Sequence, residues 1–239
     1  MAELRGDTME KLNSSSYALF DIDGTLLDST SVWAQVPGEY LRRRNVVAEE
    51  DLADVFLSHG YSGTAKYIAE KYLHGEDYHK AMDAFCSIAA ERYQLGIKEK
   101  PRATEYLRGL RELGIPCLAV TSNMKEIVVP AMEKLGMTDF ITDVISVYDV
   151  GLDKRSPELY HFVARQLSVP EDRCVVFEDS LFAAESAKQA NMFVVGIYDE
   201  GSKNDWQRLR RVADRVVYGY DELLREDVFS RIAAQNNAF

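Results

Sequence analysis

The sequence predicts an α/β fold: a Rossmann-like doubly wound parallel sheet into which an all-helical cap domain is inserted. Three features of the 239-residue chain predict it. Short apolar runs are continuous rather than alternating, and segments with helical periodicity separate most of them. A long stretch with helical patterns and no strand pattern follows the first run.

Continuous apolar runs predict strands that are buried on both faces, as in a parallel sheet covered by helices. The five such runs are YALFDID (17–23), CLAVTSN (117–123), DVISVYD (143–149), CVVFED (174–179) and FVVGIYD (193–199). A shorter sixth run, DRVVYGY (214–220), predicts a strand at the edge of the sheet.

Helical periodicity lies between these runs. Apolar residues recur with i, i+3 and i+4 spacing between 103 and 110 and again between 159 and 167. Gly114 follows the first pattern as a stop signal, and Ser156 with Pro157 precedes the second as a helix start. Strands that alternate with helices in this way favour a doubly wound sheet.

The long gap after the first strand indicates an insertion. A crossover between parallel strands needs only about a dozen residues, whereas this gap holds enough helical patterns for a small bundle. We therefore predict a flexible N-terminal tail (1–16), a core segment with the first strand and a flap (17–31), a helical cap (32–97) and a second core segment (98–239).

Charge and composition narrow the range of partners. The formal net charge is −11, so the surface opposes polyanions, and we expect neither a nucleic acid nor a membrane as partner. No apolar run is long enough for a spanning helix. The three cysteines are too few and too scattered for a disulfide framework or a zinc site. We expect a cytoplasmic monomer.

Polar side chains cluster where the predicted strands end. Asp21 and Asp23 follow the first strand, Thr121, Ser122 and Asn123 follow the second, and Glu178 and Asp179 follow the fourth; Lys154 lies in the loop before the helix that starts at Pro157. In an open α/β sheet, ligands collect at the carboxyl ends of the strands. We expect these side chains to converge on one rim.

The carboxylates at this rim predict a cation site. Several of them crowded together raise one another's pKa unless a cation neutralises them. Oxygen ligands without His or Cys suit Mg²⁺, which binds through a few carboxylates together with substrate phosphate.

Four motifs carry a resemblance to a known family. DIDGTLLDS (21–29), TSN (121–123), DKRSPELY (153–160) and VVFEDS (175–180) occur in this order. The chain resembles the haloacid dehalogenase superfamily, and within it the subfamily I phosphatases and β-phosphoglucomutase-like enzymes that carry a helical cap. One departure is the third motif, which in the family usually reads Gly-Lys-Pro-x-Pro-Asp; here Lys154 is retained and the loop around it differs.

The resemblance implies roles for these residues. Asp21 would be the nucleophile that forms an aspartyl-phosphate, and Asp23 the general acid and then the base. The Asp23 carbonyl, Asp21, Glu178 and Asp179 would hold Mg²⁺. Lys154 would bind the transferring phosphoryl group together with Thr121, Ser122 and Asn123, with the hydroxyl contact open between Thr121 and Ser122.

The resemblance leaves the reaction open. The leading interpretation is an Mg²⁺-dependent phosphatase acting on a small phosphorylated metabolite. The alternatives are a sugar phosphomutase, which needs a second cationic phosphate site in the cap, and a non-catalytic protein that binds a phosphorylated ligand. Lys66 and the run Arg42-Arg43-Arg44 are the candidates for that second site, and a basic run on a helix is more often a solvated face.

Overall fold

The structure, a computed structural model, describes residues 16–225. The predicted N-terminal tail, apart from residue 16, and the last part of the predicted second core segment, 226–239, lie outside the described residues. The described chain divides into two compact units. One combines 16–28 with 98–225, and the other is the insertion Ser29–Ile97.

The larger unit is built on a six-stranded sheet. The strands are β1 (Tyr17–Phe20), β2 (Cys117–Thr121), β3 (Ile141–Ser146), β4 (Cys174–Glu178), β5 (Phe193–Ile197) and β6 (Arg215–Val217). Their order in the sheet is β3-β2-β1-β4-β5-β6, and every neighbouring pair is parallel. The strand order reverses at β1, which pairs with β2 on one side and β4 on the other. The predicted Rossmann-like fold is confirmed.

Helices alternate with these strands along the chain, as the sequence pattern predicts. In the larger unit they are α4 (Ala103–Glu112), α5 (Lys125–Lys134), α6 (Val147–Val150), α7 (Pro157–Leu167), α8 (Leu181–Gln189), α9 (Trp206–Val212) and α10 (Tyr220–Arg225). Ser156 caps α7, because its side chain accepts a hydrogen bond from the Glu158 N–H. Gly114, the predicted stop signal, follows α4 with a φ of 73°.

The third strand differs from its prediction. β3 begins at Ile141 rather than at 143 and ends at Ser146 rather than at 149. The Ser146 side chain accepts a hydrogen bond from the Tyr148 N–H, which starts the short helix α6. A serine N-cap inside an apolar run therefore ends the strand earlier than hydrophobicity alone indicates.

The aromatic core beneath the carboxyl end of the sheet is tightly packed. Phe20 of β1 and Phe177 of β4 stack with ring centroids 4.3 Å apart. Tyr106 of α4 meets both rings, at 6.4 Å from Phe20 and 5.7 Å from Phe177. All three side chains are fully buried. This cluster supports the backbone from which Asp21 and Glu178 extend, one residue further along each strand.

The insertion is helical, as predicted. Its helices are α1 (Thr30–Arg43), α2 (Leu52–Tyr72) and α3 (Tyr78–Gly96). They share their own buried core, in which Tyr40 packs edge to face against Phe85. Gly60 interrupts the helical geometry of α2 with a φ of 68°. This compact unit spans Ser29–Ile97, and the cap predicted from the sequence spans 32–97.

The basic run 42–44 is paired within the insertion. Arg42 and Arg43 both contact Glu39, and Arg43 also contacts Glu91. Arg44 contacts Glu76 at 2.9 Å. The side chains of the three arginines are at least 41% exposed, so the run is a solvated, ion-paired face. Among residues 16–225, no helix is long and apolar enough to cross a bilayer.

Replacement of Phe177 by alanine tests the support of the core. We expect Phe177→Ala to lower the free energy of unfolding by about 3–5 kcal/mol, because the ring is removed from a packed cluster that cannot collapse fully. Tyr218→Ala, at a side chain that is 64% exposed, should cost less than about 1 kcal/mol. Urea denaturation of both variants measures the difference, and equal losses would contradict the assignment of Phe177 to the core.

Candidate active site

The predicted polar side chains extend from the carboxyl ends of three adjacent strands. Asp21 follows β1 directly, Thr121 is the last residue of β2, and Glu178 is the last residue of β4. Because β1 lies between β2 and β4, residues that are far apart in the sequence meet at one place. This is the point where the strand order reverses, the usual ligand site of such sheets.

A buried lysine bridges two of the carboxylates. The Lys154 ammonium donates hydrogen bonds to Asp21 Oδ1 at 2.5 Å and to Glu178 Oε2 at 2.8 Å. Lys154 is only 2% exposed, so water does not screen these contacts effectively. The structure thus brings Lys154 to the carboxylates, as predicted, although its motif departs from the family pattern.

Three carboxylates form one cluster. Oxygens of Asp21, Glu178 and Asp179 lie within 4.8 Å of one another, and all three residues are buried. The other Glu178 oxygen, Oε1, accepts a hydrogen bond from the Ser180 N–H at 3.1 Å. Asp179 Oδ2 accepts one from the Ser202 hydroxyl at 2.7 Å. Three negative groups therefore share one buried cation.

This excess of negative charge has an electrostatic cost. Burial, reinforced by the Glu178 carboxylate, raises the pKa of Asp21 to about 8 even though Lys154 opposes the rise. Burial and the neighbouring carboxylates of Asp21 and Glu178 also raise the pKa of Asp179. Burial by itself lowers the pKa of the Lys154 ammonium. The carboxylates of Asp21 and Glu178 outweigh this effect, so the pKa of Lys154 is raised. The lysine therefore stays charged, and the carboxylates compete for neutralisation.

The donor set fits Mg²⁺. Asp21 Oδ2 is buried and accepts no hydrogen bond from the residues that the structure describes, so one carboxylate oxygen is left for a cation. Together with Glu178 and Asp179 it offers only oxygen ligands, which suits a hard cation. The Asp23 carboxylate is outside this cluster of side chains; its predicted contribution is the backbone carbonyl, which stays a prediction.

A tight turn brings the first motif close to Asp179. Gly24 has a φ of 96°, and its N–H donates to the Leu27 carbonyl at 2.9 Å. A Cβ on Gly24 would lie 2.7 Å from Asp179 Oδ2. The residue is glycine for two reasons, therefore: the left-handed backbone and the space that Asp179 occupies. Tyr220 supports the turn by donating a hydrogen bond to the Thr25 carbonyl at 3.1 Å.

The loop after β2 makes contacts that the sequence did not reveal. Thr121 Oγ1 accepts a hydrogen bond from the Asn123 N–H at 2.9 Å, while Ser122 is exposed. Asn123 Nδ2 donates to Asp23 Oδ2 at 3.1 Å. The structure therefore places Asn123 against Asp23, and which of Thr121 and Ser122 supplies a hydroxyl to phosphate stays open.

Two further residues beside the site were not predicted from the sequence. Ser202, which binds Asp179, and Asp199 both follow β5. Asp199 is paired with Lys100 at 2.8 Å and accepts the Gly201 N–H at 2.7 Å, which shapes the loop that presents Ser202. Their position after a strand end was the only sequence signal, because neither residue belongs to one of the four motifs.

Comparison with known proteins supports the motif assignment. Residues 18–197 match the sequence model of the family described as haloacid dehalogenase-like hydrolase. A validoxylamine A 7'-phosphate phosphatase from Streptomyces hygroscopicus subsp. limoneus is 27% identical over 187 residues, which are 75% of this chain and 84% of that protein. A phosphoglycolate phosphatase from Rhodobacter capsulatus is 28% identical over 188 residues, 77% of this chain and 84% of that protein.

The fold has solved counterparts as well. The crystal structure of a protein described as a "predicted phosphoglycolate phosphatase" from Haemophilus somnus 129pt superposes with a TM-score of 0.73 over 90% of this chain and 98% of that one, at 15% identity. The match to the family model confirms the predicted family resemblance, and together with the related phosphatases it confirms the predicted enzyme class, a phosphatase of the haloacid dehalogenase type.

Gly24→Ala tests the close approach of the turn to Asp179. The added Cβ must displace the Asp179 carboxylate, so we expect Mg²⁺ affinity to fall about 10-fold or more, as for other changes beside a metal ligand. Gly114→Ala is the matched control, since its φ of 73° imposes similar strain but its Cβ would meet nothing within 4 Å. Calorimetric Mg²⁺ titration of both variants measures the effect. Equal affinities would show that the contact does not shape the metal site.

The pH dependence of stability in Asp21→Asn tests whether the buried carboxylates carry excess negative charge. Because the pKa of Asp21 is about 8 in the folded state and near 4 when unfolded, folding of the metal-free protein takes up a proton between these values. The metal-free wild type therefore gains stability as the pH falls below 8. We expect Asp21→Asn to raise the free energy of unfolding more at pH 9 than at pH 6, by on the order of 1 kcal/mol or more.

Chemical denaturation in EDTA at the two pH values measures this difference. The control is Asp172→Asn, at an exposed residue before β4. Its effect on the free energy of unfolding should be the same at both pH values. A gain for Asp21→Asn that does not depend on pH would contradict the raised pKa.

Proposed function

The chain belongs to the haloacid dehalogenase-like hydrolase family, and we propose that it is an Mg²⁺-dependent phosphatase that hydrolyses a small phosphate monoester through an aspartyl-phosphate on Asp21. The observation that carries the proposal is the state of the Asp21 carboxylate. One oxygen is held by Lys154, and the other is buried without a hydrogen bond from the described residues. Asp23 follows two residues later with its own carboxylate.

Asp21 acts as the nucleophile in the first half of the reaction. A carboxylate oxygen of Asp21 forms a bond to phosphorus while the bond from phosphorus to the ester oxygen breaks. Asp23 gives a proton to the departing oxygen, so that the alcohol leaves neutral. The buried position of Asp21 keeps competing water away from the carboxylate.

Asp23 changes its role in the second half. As a carboxylate it takes a proton from a water molecule, and the water oxygen forms a bond to phosphorus. The bond between phosphorus and Asp21 then breaks, which releases inorganic phosphate and restores the Asp21 carboxylate. Asp23 is again protonated and ready for the next cycle.

Positive charge at the site stabilises the transferring group. Lys154 contacts the nucleophilic carboxylate directly and balances part of the negative charge that collects there. Asp21, Glu178 and Asp179 would hold Mg²⁺ together with the Asp23 carbonyl. When bound, the ion supplies further positive charge to the phosphoryl oxygens. Thr121 and Ser122 are proposed to line the phosphate pocket with Lys154, whereas Asn123, which the sequence grouped with them, directs its side chain at Asp23.

The substrate class rests on the relatives and on Asp23. Two of the relatives named above are phosphatases of validoxylamine A 7'-phosphate and of phosphoglycolate. A carboxylate two residues after the nucleophile serves a reaction in which an alkoxide must be protonated. We propose a small phosphorylated metabolite as substrate, and a monomer as the working form.

A panel of phosphate monoesters with and without Mg²⁺ tests the function. We expect release of inorganic phosphate from at least one ester, loss of that release in EDTA, and a fall of kcat by at least about 10³-fold in Asp21→Asn, because an asparagine amide cannot form the aspartyl-phosphate. Asp172→Asn, the same change at the opposite end of β4, should keep wild-type activity.

Other outcomes would replace the proposal. Interconversion of β-glucose 1-phosphate and glucose 6-phosphate with glucose 1,6-bisphosphate present, without phosphate release, would identify a phosphomutase. Binding of phosphorylated ligands without turnover across the panel would identify a binding protein. Wild-type rates in Asp21→Asn would rule out the assignment of the nucleophile.

A further inference from the structure

The Asn123 side chain points at the Asp23 carboxylate rather than away from it. We propose that Asn123 is the positioning residue of the acid–base group: its amide holds Asp23 Oδ2, so that Asp23 carries the transferable proton on Oδ1 and presents it to the leaving group. This inference rests on the proposed function and adds a determinant of how the enzyme responds to different leaving groups.

The contact joins two strands that are adjacent only in the fold. Asn123 Nδ2 donates to Asp23 Oδ2 at 3.1 Å across a sequence separation of 100 residues. Asn123 is 7% exposed, so bulk water does not readily replace the donor. The distance is that of an ordinary N–H···O hydrogen bond.

A hydrogen bond to Asn123 Oδ1 sets the orientation of the amide. Asn123 Oδ1 accepts a hydrogen bond from the Met124 N–H at 2.8 Å. If the amide were flipped, its nitrogen would face an N–H donor and its oxygen would face the Asp23 carboxylate, which is unfavourable at both ends. The nitrogen is therefore the atom that meets Asp23.

The backbone of Asn123 is anchored on both sides. Its N–H donates to Thr121 Oγ1 at 2.9 Å, and its carbonyl accepts a hydrogen bond from the Ser146 hydroxyl at 2.7 Å. Thr121 and Ser146 are fully buried at the ends of β2 and β3. Two strand ends thus fix the place from which the amide reaches Asp23.

A neutral amide suits a group that must gain and lose a proton. When Asp23 is a carboxylate, Oδ2 accepts the amide hydrogen. When Asp23 is protonated on Oδ1, Oδ2 is a carbonyl oxygen and still accepts it. The hydrogen bond therefore persists through both half-reactions and directs the proton to the other oxygen, whereas an ammonium in the same place would favour the anion strongly.

The role predicts a specific kinetic signature. A positioned acid matters most when the leaving group is a poor one and little when it departs as a stable anion. Loss of Asn123 should therefore slow phenyl phosphate more than p-nitrophenyl phosphate, and 2,4-dinitrophenyl phosphate least. A contact from Asn123 to the phosphoryl group itself would slow all three alike, because they transfer the same group.

The experiment measures kcat/KM for these three aryl phosphates with Mg²⁺ in the full-length wild type, Asn123→Ala and Asn123→Asp. This ratio reports the steps up to release of the phenol and is blind to hydrolysis of the aspartyl-phosphate. We expect a loss of about 10-fold or more on phenyl phosphate and less than about 3-fold on 2,4-dinitrophenyl phosphate. Asn123→Asp keeps the acceptor for the Met124 N–H but lacks the donor, and should show the same pattern as Asn123→Ala.

Controls separate positioning from general damage. Thr142→Ala removes a hydrogen bond between β2 and β3 at the other end of the same strand pair, from Thr142 Oγ1 to the Cys117 carbonyl, and should leave all three rates unchanged. Thermal unfolding of each variant checks that it is folded. Equal losses of Asn123→Ala on all three esters, or wild-type rates in Asn123→Asp, would overturn the inference while leaving the phosphatase in place. A wild type that hydrolyses none of the esters in this series or the panel would overturn the proposed function as well.

Discussion

The balance between three buried carboxylates and one buried lysine constrains the rest of the site. Asp21, Glu178 and Asp179 cannot all be charged around Lys154 without excess negative charge in a region that water reaches poorly. The chain reduces the imbalance with fixed donors, the Ser180 N–H and the Ser202 hydroxyl, but these carry no full charge. The negative charge that remains uncompensated is the reason why we propose that these carboxylates hold a divalent cation. The turn at Gly24 leaves space for this cluster, because a side chain there would push Asp179 away from the other carboxylates.

This arrangement of charged side chains requires a particular order of strands in the sheet. β1 must lie between β2 and β4 for Asp21 to meet both Glu178 and the loop that carries Asn123. Parallel pairing then places all three strand ends at one edge. The rings of Phe20 in β1 and Phe177 in β4 stack on each other, and this packing supports the carboxylates of Asp21 and Glu178, one position further along the chain, at short range despite their repulsion.

The sequence was sufficient for those features that depend on strand position alone. Continuous apolar runs identified all six strands, and the rule that ligands collect at carboxyl ends located Asp21, Glu178 and Asp179 together. Features that depend on local hydrogen bonds were missed. The end of β3 is set by the Ser146 cap, which hydrophobicity does not register. The direction of Asn123 follows from the Met124 N–H and Ser146, and Ser202 reaches Asp179 through a loop shaped by Asp199. The contacts from Asn123 to Asp23 and from Ser202 to Asp179 join residues that are distant in the sequence, so no local motif encodes them.

The two aspartates of the first motif receive different environments although they are only two residues apart. Asp21 is 6% exposed, bridged to an ammonium and pressed against two further carboxylates, which suits a group that stays in place and attacks. Asp23 lies outside that cluster and is held by a neutral amide. An amide donates the same hydrogen bond to a carboxyl group whether that group is charged or protonated, whereas an ammonium binds most strongly to the charged form. In the proposed mechanism, the division of labour between attack and proton transfer arises from the donors that surround each carboxylate, since the carboxylates themselves are chemically the same.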